Sequence, residues 1–463
     1  MNLLKQYGFN AAEFEYLEQR YRSGRLSLKT NLINYQNSRQ VRLPRPEDTV
    51  ELPGSEGEES RTGREILAAG QFGLILMNGG AATRFQKPGE NLPKGAFEIM
   101  ELAGRKRSFM ELKLAHARWA EEEFGGTVPV WIMNSYFTAD QTKAILRENN
   151  FFGKKDVFTY SQGIMKRIIP SPEDLRLHYG KAIDKLSAKI AGLTPGEERI
   201  AAVREKEILE ENLAYWSDCY RGRAGEVISA QLEEETYNPP GHLDTTLWLI
   251  LDPSRPLLKM LELGVEYLLV SNIDNLGATI HPGLPGLLRK REGEGVGILC
   301  EVSRKPPGQK GGSLARVYDP ELGKEWAQII EEFAFPPEFD QDQIPEFNNA
   351  TYTISVSSLL DLFELNRDTL RNSSSLQLRQ KVKLVTDRLP VYVALKELRE
   401  NKEGRELQRP VVQFERLQGD LTVLLPPLGV RTRDRFFPVK KREDIPLMVP
   451  RLREILQGKL ILS

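Results

Sequence analysis

The chain has 463 residues, 40% of them hydrophobic and 28% charged, with 64 Lys and Arg against 65 Asp and Glu. A formal net charge of -1 gives no general field to draw in nucleic acid, so any anion site has to be a local cluster of Lys and Arg. Two cysteines, Cys219 and Cys300, and four histidines in no metal-ligand spacing argue against a disulfide scaffold or a zinc hydrolase and suit a reducing cytoplasm.

The opening "MNLLKQYGFNAAEFEYLEQRY" has no uninterrupted apolar core, so it reads as an amphipathic helix and not as a secretion signal. Helix is expected from residue 1 to about 45, followed by an exposed acidic connection from Thr49 to Thr62. Phe72 to Met77 is short and continuously apolar, as suits a parallel strand covered on both faces. It runs into Asn78, Gly79, Gly80, Ala81 and Ala82, whose small side chains let backbone N–H groups approach a ligand such as a phosphate. Arg84 and Lys94 follow, adding a guanidinium and an ammonium suited to a polyanion. Taken alone, the Gly-Gly pair equally suits a tight strand-to-helix turn, because it forms neither of the familiar glycine-rich phosphate fingerprints.

"SFMELKLAHARWAEEEFG" has helical spacing and "VPVWIMNS" reads as a second buried strand, completing a βαβ unit with a right-handed crossover. Residues 170 to about 225 read as an inserted helical hairpin with a solvated charged face. The strand Tyr267 to Val270 runs into Ser271, Asn272, Ile273, Asp274 and Asn275, and polar groups at such strand ends are where open α/β sheets hold ligands. "VGILCEVSRK" gives a further strand, "KGGSLARVY" a hairpin, and "EDIPLMVPRLREILQG" a short helix near the end.

Eight short stretches, in order, resemble those of the eukaryotic-type UDP-glucose pyrophosphorylases and, more loosely, their UDP-N-acetylhexosamine relatives. They are "MNGGAATRF" with "PKG", "MNSYFT", "NPPGHLD", "SNIDNLGA", "KGGSL", "EFNN", "VVQFERLQG" and "RFFPVK". The resemblance implies an α/β fold: a Rossmann-like, GT-A-like nucleotidyltransferase with a mixed, mostly parallel sheet flanked by helices. Three segments are expected: an N-terminal helical part and linker (1–70), a catalytic domain (71–425) carrying the helical insertion, and a short C-terminal arm (426–463) without the family's β-helix domain.

The activity implied is transfer of a uridylyl group from UTP to a hexose 1-phosphate, glucose 1-phosphate first, with release of pyrophosphate. N-acetylhexosamine or broad sugar specificity is the alternative, and a nucleotide-sugar binding protein without turnover is a further one. By resemblance, Asp274 holds Mg²⁺, and Arg84, Lys94 and Lys440 neutralise the phosphates, with Arg84 on the β- and γ-phosphates. Asn78, Gly79, Gly80, Gln162, Gly241, His242 and Asn272 line the nucleotide, and Gly312, Asn349 and Glu415 the sugar. Glu415 in a valine-rich strand is read as a buried carboxylate in need of a ligand. The implied partners are UTP and a sugar 1-phosphate, with no nucleic acid or membrane; a cytoplasmic monomer or small homo-oligomer is expected. Ala81, Ala82, Leu243 and Ala350 depart from the family pattern, the last two toward the sugar. Lys440 stands near the end of the chain, so its arm has to fold back over the ligand edge and can close as a lid.

Overall fold

A computed structural model describes residues 2–80, 85, 92–230, 232–305, 311–402, 405–439 and 442–462. The chain groups into two compact units, one of Met1–Tyr35, Ile164–Gly241 and Val391–Arg416, the other of Gln36–Gly163, His242–Pro390 and Leu417–Ser463.

The larger unit is built on eight strands: β1 Thr49–Glu51, β2 Phe72–Met77, β3 Val130–Asn134, β4 Val157–Ser161, β5 Tyr267–Asn272, β6 Ile298–Arg304, β7 Glu346–Ser355 and β8 Pro427–Arg431. Their order across the sheet is β1-β8-β6-β7-β5-β2-β3-β4. β7 runs antiparallel to both neighbours, and the other pairs are parallel. Every residue of β2 is buried because alternate side chains enter two different cores. Phe72, Leu74 and Leu76 pack with Ile66, Leu112 and Leu284 on one face. Ile75 and Met77 pack with Trp131, Leu247 and Met260 on the other.

The helices of the first face are held closely. Helix Phe109–Phe124 starts at Ser108, whose side chain accepts from Glu111 N, and stops at Gly125 in the left-handed region at φ 84°. Helices Glu58–Ala68 and Gly283–Glu292 touch through glycines: a Cβ on Gly63 would lie 1.7 Å from Pro282 O, and one on Gly286 would lie 1.7 Å from Glu59 O. A three-stranded sheet, Gln40–Arg42 with the hairpin Ser313–Asp319 and Lys324–Ile330, belongs to the same unit.

The smaller unit gathers distant pieces of the sequence. Phe14, Leu17 and Tyr21 of helix Ala11–Arg22 pack with Ile168, Val393, Val412 and Phe414. Tyr21 Oη donates to Asp174 Oδ2 at 2.7 Å, and both the N–H and the carbonyl of Val393 bond to the Asn31 amide. Helices Pro172–Gly192 and Glu197–Cys219 form the helical hairpin, and Tyr392–Lys402 pairs with Arg405–Glu415.

The sequence expectations need four corrections. The N-terminal helix ends at Arg22, and residues 40–42 form a strand on Arg316–Tyr318, where the Arg42 guanidinium lies over the Tyr318 ring. The acidic stretch after Thr49 is not a loop throughout. It supplies β1, and its run of glutamates opens helix Glu58–Ala68, where acidic side chains complement the helix N-terminus. The first 35 residues are not a separate segment from the chain that follows, because their apolar face is completed by residues near 168 and 393–414. The C-terminal stretch is no appended arm either: Leu428 and Val430 of β8 and Leu452 and Leu456 of helix Ile445–Leu456 belong to the core of the larger unit.

Candidate active site

The carboxyl ends of β2, β3, β4 and β5 lie side by side in the larger unit. Asp274 follows β5 and Lys94 follows the glycine loop after β2; Lys94 Nζ donates to Asp274 Oδ2 at 2.7 Å. Two residues 180 apart in sequence are thus a contact pair, with side-chain exposures of 22% and 9%. The Lys94 ammonium also lies 5.1 Å from the centre of the Phe85 ring. Asp274 caps no helix, since the next one starts at Gly283.

Asn78 is buried, and its side chain works within the protein. Nδ2 donates to Asn134 Oδ1 and Thr142 Oγ1, both at 3.0 Å, while Oδ1 accepts from Gly95 N at 3.0 Å. It therefore fixes the Pro93–Gly95 backbone that carries Lys94. Gly79 is tied by its carbonyl to Ser135 Oγ at 2.7 Å. Asn134, Ser135 and Thr142 are supports of this loop that sequence reading missed; the first two stand in the quoted "MNSYFT".

The two glycines have different reasons to be glycine. A Cβ on Gly79 would lie 2.5 Å from Gln162 Nε2, whereas a Cβ on Gly80 would meet nothing within 4 Å among the described residues, and Gly80 is exposed. Gln162 is buried after β4, its N–H donating to Asn134 O at 2.8 Å. Its carboxamide makes no hydrogen bond among the described residues, so a donor and an acceptor stand ready beside an open glycine. Asn272, at the end of β5, is half-buried with its side chain similarly unengaged. Asn275 is engaged: Oδ1 accepts from Phe437 N at 2.9 Å and Nδ2 donates to Thr351 Oγ1 at 3.4 Å.

His242 Nδ1 accepts from Gln418 N at 2.8 Å, which leaves the proton on Nε2. Desolvation lowers its pKa to about 4, so near neutral pH it is an uncharged donor.

Gly312 precedes the hairpin Ser313–Asp319 and Lys324–Ile330, and a Cβ on it would lie 2.9 Å from Glu331 Oε2. Desolvation raises the Glu331 carboxyl to about 7, and among the described residues it has no hydrogen-bond partner. The asparagine beside Gly312 is Asn348, whose N–H donates to Gly312 O at 2.7 Å and whose Nδ2 donates to Tyr352 Oη at 2.8 Å. Asn349 instead donates to Ser303 Oγ at 2.9 Å and Thr432 Oγ1 at 3.2 Å, and its buried Oδ1 has no partner among the described residues.

Glu415 and Gly241 belong to the smaller unit. The argument that Glu415 needs a ligand fails, because it is paired with Lys396 at 3.4 Å. Gly241 has φ 103°, and a Cβ there would sit 2.2 Å from Arg416 O, so the protein's own backbone demands this glycine. Arg84 and Lys440, and with them Ala81 and Ala82, lie outside the described residues.

A hard, lone carboxylate such as Asp274 suits a magnesium ion that keeps most of its ligands as water and phosphate oxygens. Among the described residues there is no group of three or more His, Cys, Asp or Glu that would make an all-protein cage. No helix among them is long and apolar enough to cross a membrane.

The doubly covered, mostly parallel sheet with its polar strand ends is that of an α/β nucleotidyltransferase fold. The solved structure of a UDP-glucose phosphorylase from Trypanosoma brucei shares it, with a TM-score of 0.62 at 20% identity over 99% of this chain and 80% of that one. The family model of UTP–glucose-1-phosphate uridylyltransferases matches residues 12–177 and 225–463, and the chain belongs to that family. The interval left out holds most of the helical hairpin. A probable UDP-N-acetylglucosamine pyrophosphorylase of Schizosaccharomyces pombe is 32% identical over 157 residues, which are 30% of this chain and 32% of that protein. A UTP–glucose-1-phosphate uridylyltransferase of Encephalitozoon cuniculi is 23% identical over 403 residues, 86% of this chain and 62% of that one. The chain thus spans less than two thirds of the length of these curated relatives.

Proposed function

We propose that the chain is a uridylyltransferase that makes a UDP-sugar and pyrophosphate from UTP and a hexose 1-phosphate, with glucose 1-phosphate preferred. The observation that carries this reading is the Lys94–Asp274 pair beyond β2 and β5, held through Gly95 to Asn78, the residue before Gly79 and the unengaged Gln162 amide beside it. In the reaction a phosphate oxygen of the sugar attacks the α-phosphorus of UTP, the bond from that phosphorus to the bridging oxygen breaks, and pyrophosphate takes the electron pair. No protein nucleophile is needed, so positioning and charge neutralisation are the tasks left to the side chains.

Gln162 offers the uracil edge one donor and one acceptor, and Gly80 leaves room for the ring. When substrates arrive, the Lys94 ammonium exchanges Asp274 for phosphate oxygens. Asp274, so released, would hold Mg²⁺, and the chemistry the ion would supply there is neutralisation of phosphate charge. Neutral His242 contributes an Nε2–H without adding a proton that could be lost to the phosphate. Glu331 beside Gly312 offers an acceptor to sugar hydroxyls, while Asn348, whose amide bonds to Tyr352 Oη and Ala350 N, holds the Gly312 backbone. A second reading, an N-acetylhexosamine 1-phosphate as substrate, is supported by the Schizosaccharomyces pombe relative.

Asp274→Asn and Lys94→Met test the reading. Each is expected to lower kcat by about 10²–10³ with the fold intact, as when a preorganised charge contact is removed from a reacting centre. Variants as active as the wild type would leave the pair without a part in the chemistry.

A further inference from the structure

We infer that Arg435 is a positioning residue for the loop that carries Asp274, an inference that rests on the uridylyltransferase reading above. Arg435 is 6% exposed. Its Nε donates to Glu301 Oε2 at 2.7 Å, Nη2 to Glu301 Oε1 and to Thr279 O, both at 2.8 Å, and Nη1 to Thr279 Oγ1 at 3.0 Å. With the guanidinium spent in this way, Arg435 has little left to offer a phosphate directly. Glu301 has no exposed surface and sits within β6, so the bidentate fork anchors the loop to the sheet itself.

The main chain around Arg435 presses on the same loop. A Cβ on Gly277 would lie 2.7 Å from both Arg435 C and Arg435 O, and Phe437 N donates to Asn275 Oδ1 at 2.9 Å. The opposite side is held by helix Phe109–Phe124, where Lys113 Nζ donates to Ala278 O at 2.9 Å and His116 Nε2 accepts from Ile280 N at 2.9 Å. Asn275, Gly277, Ala278, Thr279 and Ile280 are therefore all gripped, and Asp274 is the residue immediately before them. The same clamp ties this loop to the chain segment that leads into Lys440, five residues beyond Arg435. Lysine at this position keeps the charge but cannot form the fork.

Arg435→Lys should lower kcat about tenfold to a hundredfold, the scale of an ångström-sized misplacement of a catalytic group, with the KM for UTP changed less than about twofold. The Mg²⁺ concentration for half-maximal activity should rise, and Thr279→Val, which removes one of the contacts, should shift it the same way by less. Hydrogen exchange supplies a readout independent of turnover: amides of residues 275–280 should exchange faster in Arg435→Lys while those of β5 keep their protection. Arg433→Lys, an exposed neighbour, is the control. An active wild type with an Arg435→Lys variant of unchanged kcat and unchanged exchange in the loop overturns this inference alone. So does a variant that melts earlier yet keeps the kcat and Mg²⁺ requirement of the wild type. A wild type that makes no UDP-sugar overturns the uridylyltransferase reading and this inference with it.

Discussion

Adding one methyl group to either glycine of the Asn78–Gly79–Gly80 loop separates two causes that sequence alone confounds. In Gly79→Ala the new carbon would stand 2.5 Å from Gln162 Nε2 and 3.2 Å from its Cδ, so the amide has to retreat by about 1 Å to reach ordinary contact. The neighbour is a side-chain end, and Gly79 is not at positive φ, so the fold should absorb the change. A displaced amide loses a hydrogen bond to the uracil edge worth about 1 kcal/mol, which is about fivefold in affinity. In Gly80→Ala the methyl enters space that no atom of the described residues fills, and an effect on UTP is assigned to collision with the ligand. Both variants should keep the wild-type melting temperature. The assay is steady-state KM for UTP, together with the kcat/KM ratio of UTP to CTP, which differ at the edge Gln162 is assigned to read. A rise of about fivefold in KM with a reduced UTP preference is expected for Gly79→Ala, and Gln162→Ala should resemble it. If both variants keep the wild-type KM and preference, Gln162 does not read the base.

Helix contact should be far less forgiving. Gly63→Ala or Gly286→Ala places a carbon 1.7 Å from a carbonyl oxygen and should cost at least about 1–3 kcal/mol in urea unfolding; a neutral substitution would mean that the two helices are not in this contact. Burial holds His116, 3% exposed, at a pKa of about 3, below its ordinary 6.5, so its contribution is fully present above pH 6.5 and is lost as pH falls toward 3, by up to about 1.4 kcal/mol per pH unit. Glutamine can make the same two bonds to Ile280 N and Lys459 O, so His116→Gln should lose stability less steeply between pH 6.5 and 4, whereas parallel curves would contradict the assignment. Glu331 shifts the other way: raised to about 7, it removes stability as pH rises from 4.5 to 7, so Glu331→Gln should melt higher at pH 8 and unchanged at pH 4.5. The same variant should raise the KM for the sugar 1-phosphate and leave that for UTP alone; an effect on UTP only would remove Glu331 from the sugar side.

What the sequence discloses follows from how local the physics is. Strands β2, β3, β5 and β6 are legible as short apolar runs because both of their faces are buried, and burial on both faces leaves no other pattern. The acidic residues before β2 mislead because glutamates that open a helix and glutamates in a loop have the same composition. Asn78 and Asn275 are recognisable as polar groups at strand ends, but their partners, Gly95 and Phe437, are set by chain segments meeting only in the fold. Residue type therefore suggests ligand contact where the geometry shows support. Glu415, paired with Lys396, is the clearest case, and Glu331 is its reverse, a carboxylate without a partner among the described residues. Gly312 faces Glu331 because the register Ser313 to Ile330 continues one step outward, a consequence of where the hairpin turns. A "Q-I-I-E" run between "KGGSL" and "EFNN" was the available signal, and its meaning depends on that register.

The central claim is best tested by measuring pyrophosphate release from UTP and Mg²⁺ with glucose, galactose and N-acetylglucosamine 1-phosphates in parallel. The account predicts release that depends on both the sugar phosphate and the metal, is abolished or nearly so in Asp274→Asn, and has its highest kcat/KM with glucose 1-phosphate. A higher kcat/KM with N-acetylglucosamine 1-phosphate would keep the chemistry and overturn the preferred sugar. No release above background with any of the three would contradict the uridylyltransferase itself.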